Sequence, residues 1–459
     1  MQAVILSGGA GSRLWPVSSK TRPKPFIKMQ DGKSLIQQTL LRACGIESVR
    51  GVIAVTNCNF VYQLKEEYKN IDCLNERNIE THFILEPFGK NTAAAIAFAA
   101  LYIYKTFGPD ETMLILPADH LISDEKLFQE SVAEAEIIAK TKKIVTFGIK
   151  PNRPETGYGY IETDNSNVKR FVEKPSRKTA ENYINNGNFF WNSGIFCFTA
   201  QTLLDEMEKH CPEILRTAQN CMKDSIINSD NQLNLNSETF ALIPENSIDY
   251  ALMEKSQNIK MIACDIGWND IGTWDSFSKL SNIDSNGNSI KGNALLHKSS
   301  GCHVETNDKK IMVVGASNLV IVNTNEGTLV IDKNNTDDIK EAYKKLQNQS
   351  PSKQQIHKFS WGRVLTVETN SNFKMYQIEV SLGAKLNISK YFDMSANWTV
   401  LFGIANFMSN NKKSKLVINE SKYIPAKNDI TLINDGNNSL VMIVMELSDY
   451  LFKSAIMFA

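Results

Sequence analysis

The chain has 459 residues, 42% of them hydrophobic and 22% charged, so it is long enough for two or three globular cores rather than one. Its 50 basic residues are balanced by 50 acidic ones, which argues against a general binder of nucleic acid or of membrane surfaces. No stretch approaches the roughly 18 unbroken apolar residues of a membrane span.

From the N-terminus, the apolar run Ala3-Val4-Ile5 leads directly into LSGGAGSRLWPVSSKTRPKPF, residues 6–26. No basic flank and cleavage site precede it, so no signal peptide is expected. A Walker loop would end in Gly-Lys-Ser/Thr, but Gly11 is followed by Ser12 and Arg13. A dinucleotide fingerprint would open into a helix after a third spaced glycine, but Leu14 stands there and Pro16 blocks a long helix. What remains is a strand-to-loop junction of little bulk, where backbone N–H groups can approach an anion. Arg13 and Lys24 supply positive charge from the same segment. A plain glycine-rich turn with two surface cations fits these residues equally well, and the rest of the chain has to decide.

Up to about residue 280, apolar runs alternate with helical patterns. Residues 3–6, 51–56, 81–85, 113–117 and 144–148 read as buried strands, and 34–45, 59–68, 91–105 and 124–140 as helices. This alternation predicts an α/β domain with a mostly parallel, doubly wound sheet, whose ligands bind beyond the carboxyl ends of the strands. The glycine loop lies at such an end, and so does PADH at 117–120. From about 283 to 335 the texture shifts to short strands between Gly/Asn/Asp turns, which fits either a few coils of β-helix or a small antiparallel sheet. A charged helix over 337–346 then leads into the linker QNQSPSKQQ, and about 100 residues of all-β character follow from Phe359. The expected domains are 1–282, 283–346 and 347–459.

Asp119 and Asp270 each stand where a carboxylate would face the ligand crevice. Two oxygen donors plus substrate phosphates is a usual way for proteins to hold Mg²⁺, although an aspartate capping a turn looks the same in sequence. TGYGYIE (156–162), FVEKP (171–175) and FFWNSGIFCF (189–198) bring Glu, Asn, Lys and aromatic side chains into the same domain. Singly each reads as a turn with core aromatics; together they favour a sugar-phosphate pocket. The eight cysteines contain no C-x-x-C pair and the six histidines no H-x-x-x-H pair, which fits reduced thiols in a cytoplasm.

Eight blocks, in order, resemble the mannose-1-phosphate guanylyltransferase (GDP-mannose pyrophosphorylase) family in its long bacterial, bifunctional form. They are the loop at 6–26, ILEPFGKNTAAAIAFAA, LPADHLI, FGIKPNRPETGYGYIE, FVEKP, WNSGIF, SIDYALMEK and GWNDIGTWD. The resemblance implies a Rossmann-like nucleotidyltransferase fold, a β-rich segment and a C-terminal cupin-like β-barrel. It also implies GTP and mannose 1-phosphate as substrates, Mg²⁺ as cofactor and a homodimer. By position, Leu6, Gly8, Gly9, Ala10, Gly11 and Ser12 would receive the nucleotide, with Glu86 and Asn91 near guanine and ribose. Arg13 would meet the triphosphate and Lys24 the reacting phosphates; Asp119 and Asp270 would hold Mg²⁺; Gly157, Glu173, Lys174 and Asn192 would grip mannose 1-phosphate. Pro25 replaces a glutamine usual in the family pattern. A nucleotidyltransferase of another base or sugar, and a regulatory subunit that binds GDP-mannose without turnover, are the alternative readings.

In the long form the last domain resembles a phosphomannose isomerase cupin, whose metal is held by Gln, His and Glu side chains. Here those positions carry Ser389, Tyr391, Ala396, Asn397 and Ile430, Phe458 replaces a late arginine, and no histidine occurs from 359 to 459. A metal-free relic without isomerase activity is therefore expected.

Overall fold

The computed structural model describes residues 1–8, 11–19, 22–69, 71–228, 231–349, 356–369, 373–391, 395–409, 412–426, 429–436 and 438–447. The chain forms two compact units, Met1–Ile339 and Lys340–Ala459.

In the first unit the strands are β1 (Gln2–Ser7), β2 (Gly51–Asn57), β3 (Glu80–Glu86), β4 (Thr112–Pro117), β5 (Ile144–Ile149), β6 (Tyr160–Asp164), β7 (Asn167–Val172) and β8 (Phe189–Thr199). With β9 (Ile226–Ile227), β10 (Gln232–Asn234) and β11 (Ile259–Cys264) they make one sheet, ordered β5-β11-β7-β6-β8-β4-β1-β2-β3-β10-β9. Strands β4, β1, β2, β3 and β10 run parallel. Their apolar residues alternate between two cores: Ala3, Ile5, Leu114 and Leu116 face one, and Val4, Met113 and Ile115 the other. That two-sided burial is why these strands read as continuous apolar runs.

Helices α1 (Leu35–Gly45), α2 (Val61–Lys69), α4 (Asn91–Phe107) and α5 (Glu125–Ala139) follow the expected pattern, and one short turn not expected from the sequence, α3 (Cys73–Glu76), precedes β3. Ser34 opens α1 with a reciprocal capping box to Gln37, and the Asp124 side chain accepts from Leu127 N to start α5. The alanines of α4 are buried against the sheet, where small side chains let the helix lie close.

The other half of the sheet departs from parallel order. β6, β7 and β8 pair antiparallel, and β8 pairs antiparallel with both β4 and β5. The β6–β7 connection is a tight hairpin whose Asn165 sits at φ 55°, and a hairpin can only join antiparallel strands.

After the sheet come β12 (Ser289–Lys291), β13 (Ala294–His297), β14 (His303–Thr306), β15 (Ile311–Val314), β16 (Leu319–Thr324) and β17 (Gly327–Asp332). Pairing is parallel along β12-β14-β16 and between β13 and β15, as successive coils of a β-helix require, and β17 closes antiparallel on β16. A separate core joins this segment to the N-terminal loop: Leu14, Val17, Trp274, Phe277, Val320 and Val322 pack together. Trp274 Nε1 donates to Trp15 O at 3.1 Å, and Thr324 Oγ1 donates to Pro16 O at 3.1 Å.

The second unit begins within the helix Ile339–Gln349; residues 350–355 of the linker stretch lie outside the described residues. Beyond them a six-stranded and a four-stranded antiparallel sheet form a closed β-barrel around Ile378, Leu386, Trp398, Phe407, Leu432 and Met442.

Trp274 is fully buried and bonded to the glycine loop's backbone. Trp274→Ala should therefore lower the stability of the first unit by about 3–5 kcal/mol, on the scale of a large buried aromatic removed. Trp274→Phe should lower it by about 1 kcal/mol, the scale of one hydrogen bond. Urea unfolding followed by tryptophan fluorescence, with each unit's transition fitted separately, measures both.

Candidate active site

The carboxyl ends of the parallel strands form one rim. Leu6 pairs with Pro117, Ser7 with Thr56, Thr56 with Leu85, and Asn57 with Glu86. The glycine loop leaves β1 at the middle of this rim. Gly8 is exposed with open space where a side chain would stand, and Gly9 and Ala10 lie outside the described residues. Gly11 sits at φ 60°, and a Cβ on it would come within 2.5 Å of Lys24 Cβ, so only glycine fits this close approach. Ser12–Leu14 makes one 3-10 turn that buries Leu14 and leaves Arg13 exposed.

Lys24 is only 7% exposed. Its Nζ donates to Asp119 Oδ2 at 2.8 Å and to the backbone oxygen of Asp270. The two acidic loops are themselves zipped together: Leu121 N donates to Asn269 O at 2.9 Å and Asn269 N to Leu121 O at 3.0 Å. Burial pushes the Asp119 carboxyl up, but Lys24 with its hydrogen bond, and His120, outweigh it and hold the group below its ordinary value. Asp270 Oδ1 accepts from Tyr158 OH at 2.6 Å and from Gly272 N at 3.0 Å. Ile271, next to it, sits at φ 47°, a conformation costing a β-branched residue about 1–3 kcal/mol. Its N–H donates to Asn269 Oδ1 at 2.7 Å, which holds the turn.

His120 completes the cluster. Trp268 Nε1 donates to His120 Nδ1 at 3.2 Å, and because indole is a donor only, the neutral ring carries its proton on Nε2, 3.8 Å from Asp119 Oδ1. Burial holds its pKa below the ordinary value.

Asp119 and Asp270 offer hard oxygen donors, and an ammonium already lies beside one carboxylate and the other residue's carbonyl, so the position favours positive charge. No group of three or more His, Cys, Asp or Glu ligands is assembled among the described residues. Carboxylate oxygens of this kind are the donors Mg²⁺ takes, in small number, with water and phosphate oxygens filling the rest of its octahedron.

At the far end of the rim, two strands from β1 and so roughly 10 Å away, stands Glu86. It is 7% exposed, and its Oε1 is buried with no hydrogen-bond partner among the described residues. Burial pushes its carboxyl up to about 7. Asn91 opens α4 at φ 67°, exposed, with its Oδ1 accepting from Thr92 N at 2.9 Å.

On the antiparallel side, Glu173 and Asn192 flank Gly159: a Cβ there would lie 2.5 Å from Glu173 Oε2 and 3.4 Å from Asn192 Cβ. Lys174, at φ 47°, donates through its ammonium to Glu173 Oε1. Gly157 is exposed and gives its N–H to Glu155 Oε1 at 3.1 Å. Tyr158 joins the two halves, with its hydroxyl on Asp270 and its ring edge-on to Trp191 and Trp268. Two members of this constellation are absent from the sequence reading: Gly159, which looks like any turn glycine, and Asp249, whose Oδ1 accepts from Asn192 Nδ2 at 2.8 Å. The only sequence sign of Asp249 is its place in SIDYALMEK.

Three family models tile the chain: "Nucleotidyl transferase" over residues 2–287, "MannoseP isomerase/GMP-like beta-helix domain" over 283–346 and "Mannose-6-phosphate isomerase C-terminal" over 345–458. The chain is 36% identical to alginate biosynthesis protein AlgA of Pseudomonas aeruginosa, an alignment covering 98% of this chain and 94% of that one. It is 34% identical to a mannose-1-phosphate guanylyltransferase of Klebsiella pneumoniae, covering 98% and 96%. Among solved structures, one described as mannose-1-phosphate geranyltransferase from Thermus thermophilus superposes with a TM-score of 0.64 at 28% identity, over 75% of this chain and 99% of that one. No helix among the described residues is long and apolar enough to cross a membrane.

The raised pKa of Glu86 makes the empty site sensitive to pH. The unfolded carboxyl ionises near its ordinary 4.5 and the folded one near 7, so the contribution of Glu86 to stability is greatest below 4.5 and falls as pH rises to about 7. The loss is on the order of 3 kcal/mol. Glu86→Gln should remove it, so that the variant gains on the wild type between pH 4.5 and 7 and keeps a constant difference outside that window. Denaturant unfolding from about pH 4 to 8 without nucleotide checks this.

Proposed function

The chain belongs to the nucleotidyl transferase family, in the long form shared with mannose-1-phosphate guanylyltransferases, and on this premise we propose that it transfers GMP from GTP to α-D-mannose 1-phosphate, releasing pyrophosphate and forming GDP-mannose. Sugar-1-phosphate nucleotidyl transfer is the activity its relatives support; the base, the sugar and the metal are our reading. The observation that carries it is the buried Lys24 ammonium on Asp119 and on the Asp270 backbone, with Tyr158 linking Asp270 to the Gly159 gap between Glu173 and Asn192.

The reaction brings two anions together. A sugar phosphate oxygen must attack the α-phosphorus of a nucleoside triphosphate, and charge repulsion and misalignment are the obstacles. The phosphate oxygen is already a sufficient nucleophile, so the site needs cations and positioning rather than a general base. Arg13, exposed on its turn, meets the triphosphate. Lys24 uses two of its three donors on Asp119 and Asp270, leaving one for a reacting phosphate. Asp119 and Asp270 would hold Mg²⁺, whose contribution is to draw charge from the phosphate oxygens. The low pKa of Asp119 keeps it ionised for that purpose across the neutral range.

Glu86 supports guanine as the base. Guanine presents two neighbouring donors, N1–H and the 2-amino group, which a carboxylate can accept together. Adenine presents a bare N1 and a C–H there, leaving the buried carboxylate unpaired, a loss that strongly favours the hydrogen-bonding base. Asn91, at the start of α4 beyond the same strand end, lies on the ribose side.

For the second unit we propose that isomerase activity is absent. Ala396 and Ile430, at two of the ligand positions, are 2% and 6% exposed members of the barrel's apolar core. Asn397 faces outward, and Ser389 donates to Asn387 Oδ1 at 2.8 Å. Only the backbone of Tyr391 is described, and Phe458 lies outside the described residues. Nothing at these positions offers a metal the nitrogen and carboxylate donors it needs.

Pyrophosphate release from GTP and mannose 1-phosphate, with and without Mg²⁺, tests the main reading. Lys24→Ala and Asp119→Asn should each lower turnover by about 10²-fold or more, and Glu86→Gln should erode the preference for GTP over ITP; near-wild-type turnover in both of the first two variants would remove the mechanism. A coupled assay with mannose 6-phosphate should show no isomerisation, and metal analysis after equilibration with Zn²⁺ should show none bound stoichiometrically to the C-terminal unit.

A further inference from the structure

We propose that Asp249 reads the sugar: its carboxylate, together with that of Glu173, accepts hydrogen bonds from ring hydroxyls of the sugar phosphate in the cradle opened by Gly159. This rests on the functional reading above and adds a specificity-determining residue to it.

Asp249 begins a π-helical turn, Asp249–Met253, in which Tyr250 is exposed and the last three residues are anchors. Ile248, Ala251, Leu252 and Met253 are buried in the core under α4. Ile248 N donates to Thr92 Oγ1 at 2.9 Å, and Ala93 N donates to Asn246 O at 3.2 Å, so the segment is fixed to the start of α4. Four apolar anchors and two tethers hold the backbone, and from it the Asp249 carboxylate reaches Asn192 at the pocket.

The carboxylate is half used. Oδ1 accepts from Asn192 Nδ2 at 2.8 Å, and apart from the residue's own backbone N–H no other described group donates to the carboxylate. Asn192 cannot be turned round, because its Oδ1 accepts from Gly194 N at 3.1 Å. Its backbone N–H donates to Gly159 O at 2.9 Å, which sets Asn192 beside the gap left by the missing Gly159 side chain. Glu173 Oε2 borders the same gap. Burial, and then the Glu173 charge, push the Asp249 carboxyl up to about 6, as expected when two carboxylates share a partly desolvated pocket.

Two acceptors there call for donors. The nearby ammonium, Lys174, is bonded to Glu173 and is itself half exposed. A phosphate would be repelled by the carboxylate pair and drawn towards Lys24 and Arg13. Hydroxyl groups meet the need, so the charge pattern orients the sugar with its ring hydroxyls on Asp249 and Glu173 and its phosphate towards the glycine loop.

The test measures Asp249→Asn and Asp249→Ala by calorimetric titration with mannose 1-phosphate and, separately, GTP, then by steady-state kinetics with mannose 1-phosphate and its monodeoxy analogues. Loss of a hydrogen bond to a charged group should raise Kd and KM for the sugar phosphate about 10- to 100-fold, with GTP binding unchanged. For one monodeoxy analogue, wild type and Asp249→Ala should have equal kcat/KM, which identifies the hydroxyl that is read. Unchanged sugar-phosphate affinity in both variants overturns the proposal. So does an equal loss for every analogue, which would mean that Asp249 only braces Asn192. Wild-type protein that binds the sugar phosphate but releases no pyrophosphate would sink the proposed reaction and leave the Asp249 titration decisive on its own. No binding of mannose 1-phosphate to the wild type would overturn both.

Discussion

The site is organised around one buried cation. Lys24 comes from the first loop of the chain, Asp119 from the end of the fourth strand, and Asp270 from a loop after the last strand of the sheet, yet all three meet at one ammonium. Withdrawing an ammonium from water is expensive unless it is paired and hydrogen-bonded. The loop carrying Lys24 is therefore held against the two acidic loops by electrostatics as well as by packing. Gly11 fits the same requirement, since any side chain there would strike Lys24. The loop's shape thus follows from where its lysine must go, and the exposed Arg13 is placed as a consequence.

The antiparallel half of the sheet gives this arrangement a second side. Parallel strands need long crossovers, which put helices on both faces and leave one rim open for the nucleotide. The β6–β7 hairpin and the long β8 instead bring Gly159, Glu173 and Asn192 back towards that rim from the opposite direction. Tyr158 spans the join. Its hydroxyl fixes one oxygen of Asp270, its ring rests on two tryptophans, and the next residue is Gly159, whose missing side chain leaves the gap between Glu173 and Asn192. Burial and the Asp270 charge raise the Tyr158 pKa well above its ordinary value, so it remains a neutral donor to that carboxylate.

Much of this was legible before the structure. The five parallel-type strands and four long helices announced themselves because burial on both faces writes continuous apolar runs, and because Ser34 and Asp124 are strong caps. Lys24 stood out as a cation of the glycine loop, and Asp119 and Asp270 as carboxylates facing the ligand crevice. The antiparallel inserts were harder to read, since short apolar runs around turns do not disclose their partners. The choice between β-helix and antiparallel sheet after residue 283 depended on pairing between coils 14 to 17 residues apart, as in Ser289 with His303 and His303 with Val320, which composition does not encode. Asp249 was hidden for another reason: followed by Tyr-Ala-Leu-Met, it reads as the first residue of a buried helix, and only the fold brings Asn192 to it.

On the proposed reading, the C-terminal unit shows the same physics with the polar cluster taken out. A metal site inside a barrel is a set of buried donors that the ion alone compensates, and such a set is costly once the ion is lost. Ala396 and Ile430 join the apolar core beside Trp398 and Leu432, and the buried carboxylate opposite Ala396, Glu446, is met by the Tyr376 hydroxyl. Substitution at one ligand position alone would have left the remaining donors buried and unsatisfied. On the proposed reading, the two units have gone opposite ways under one rule: buried charge persists where each charge has a partner, as at Lys24 and Asp119, and gives way to hydrocarbon where the partner was an ion no longer bound.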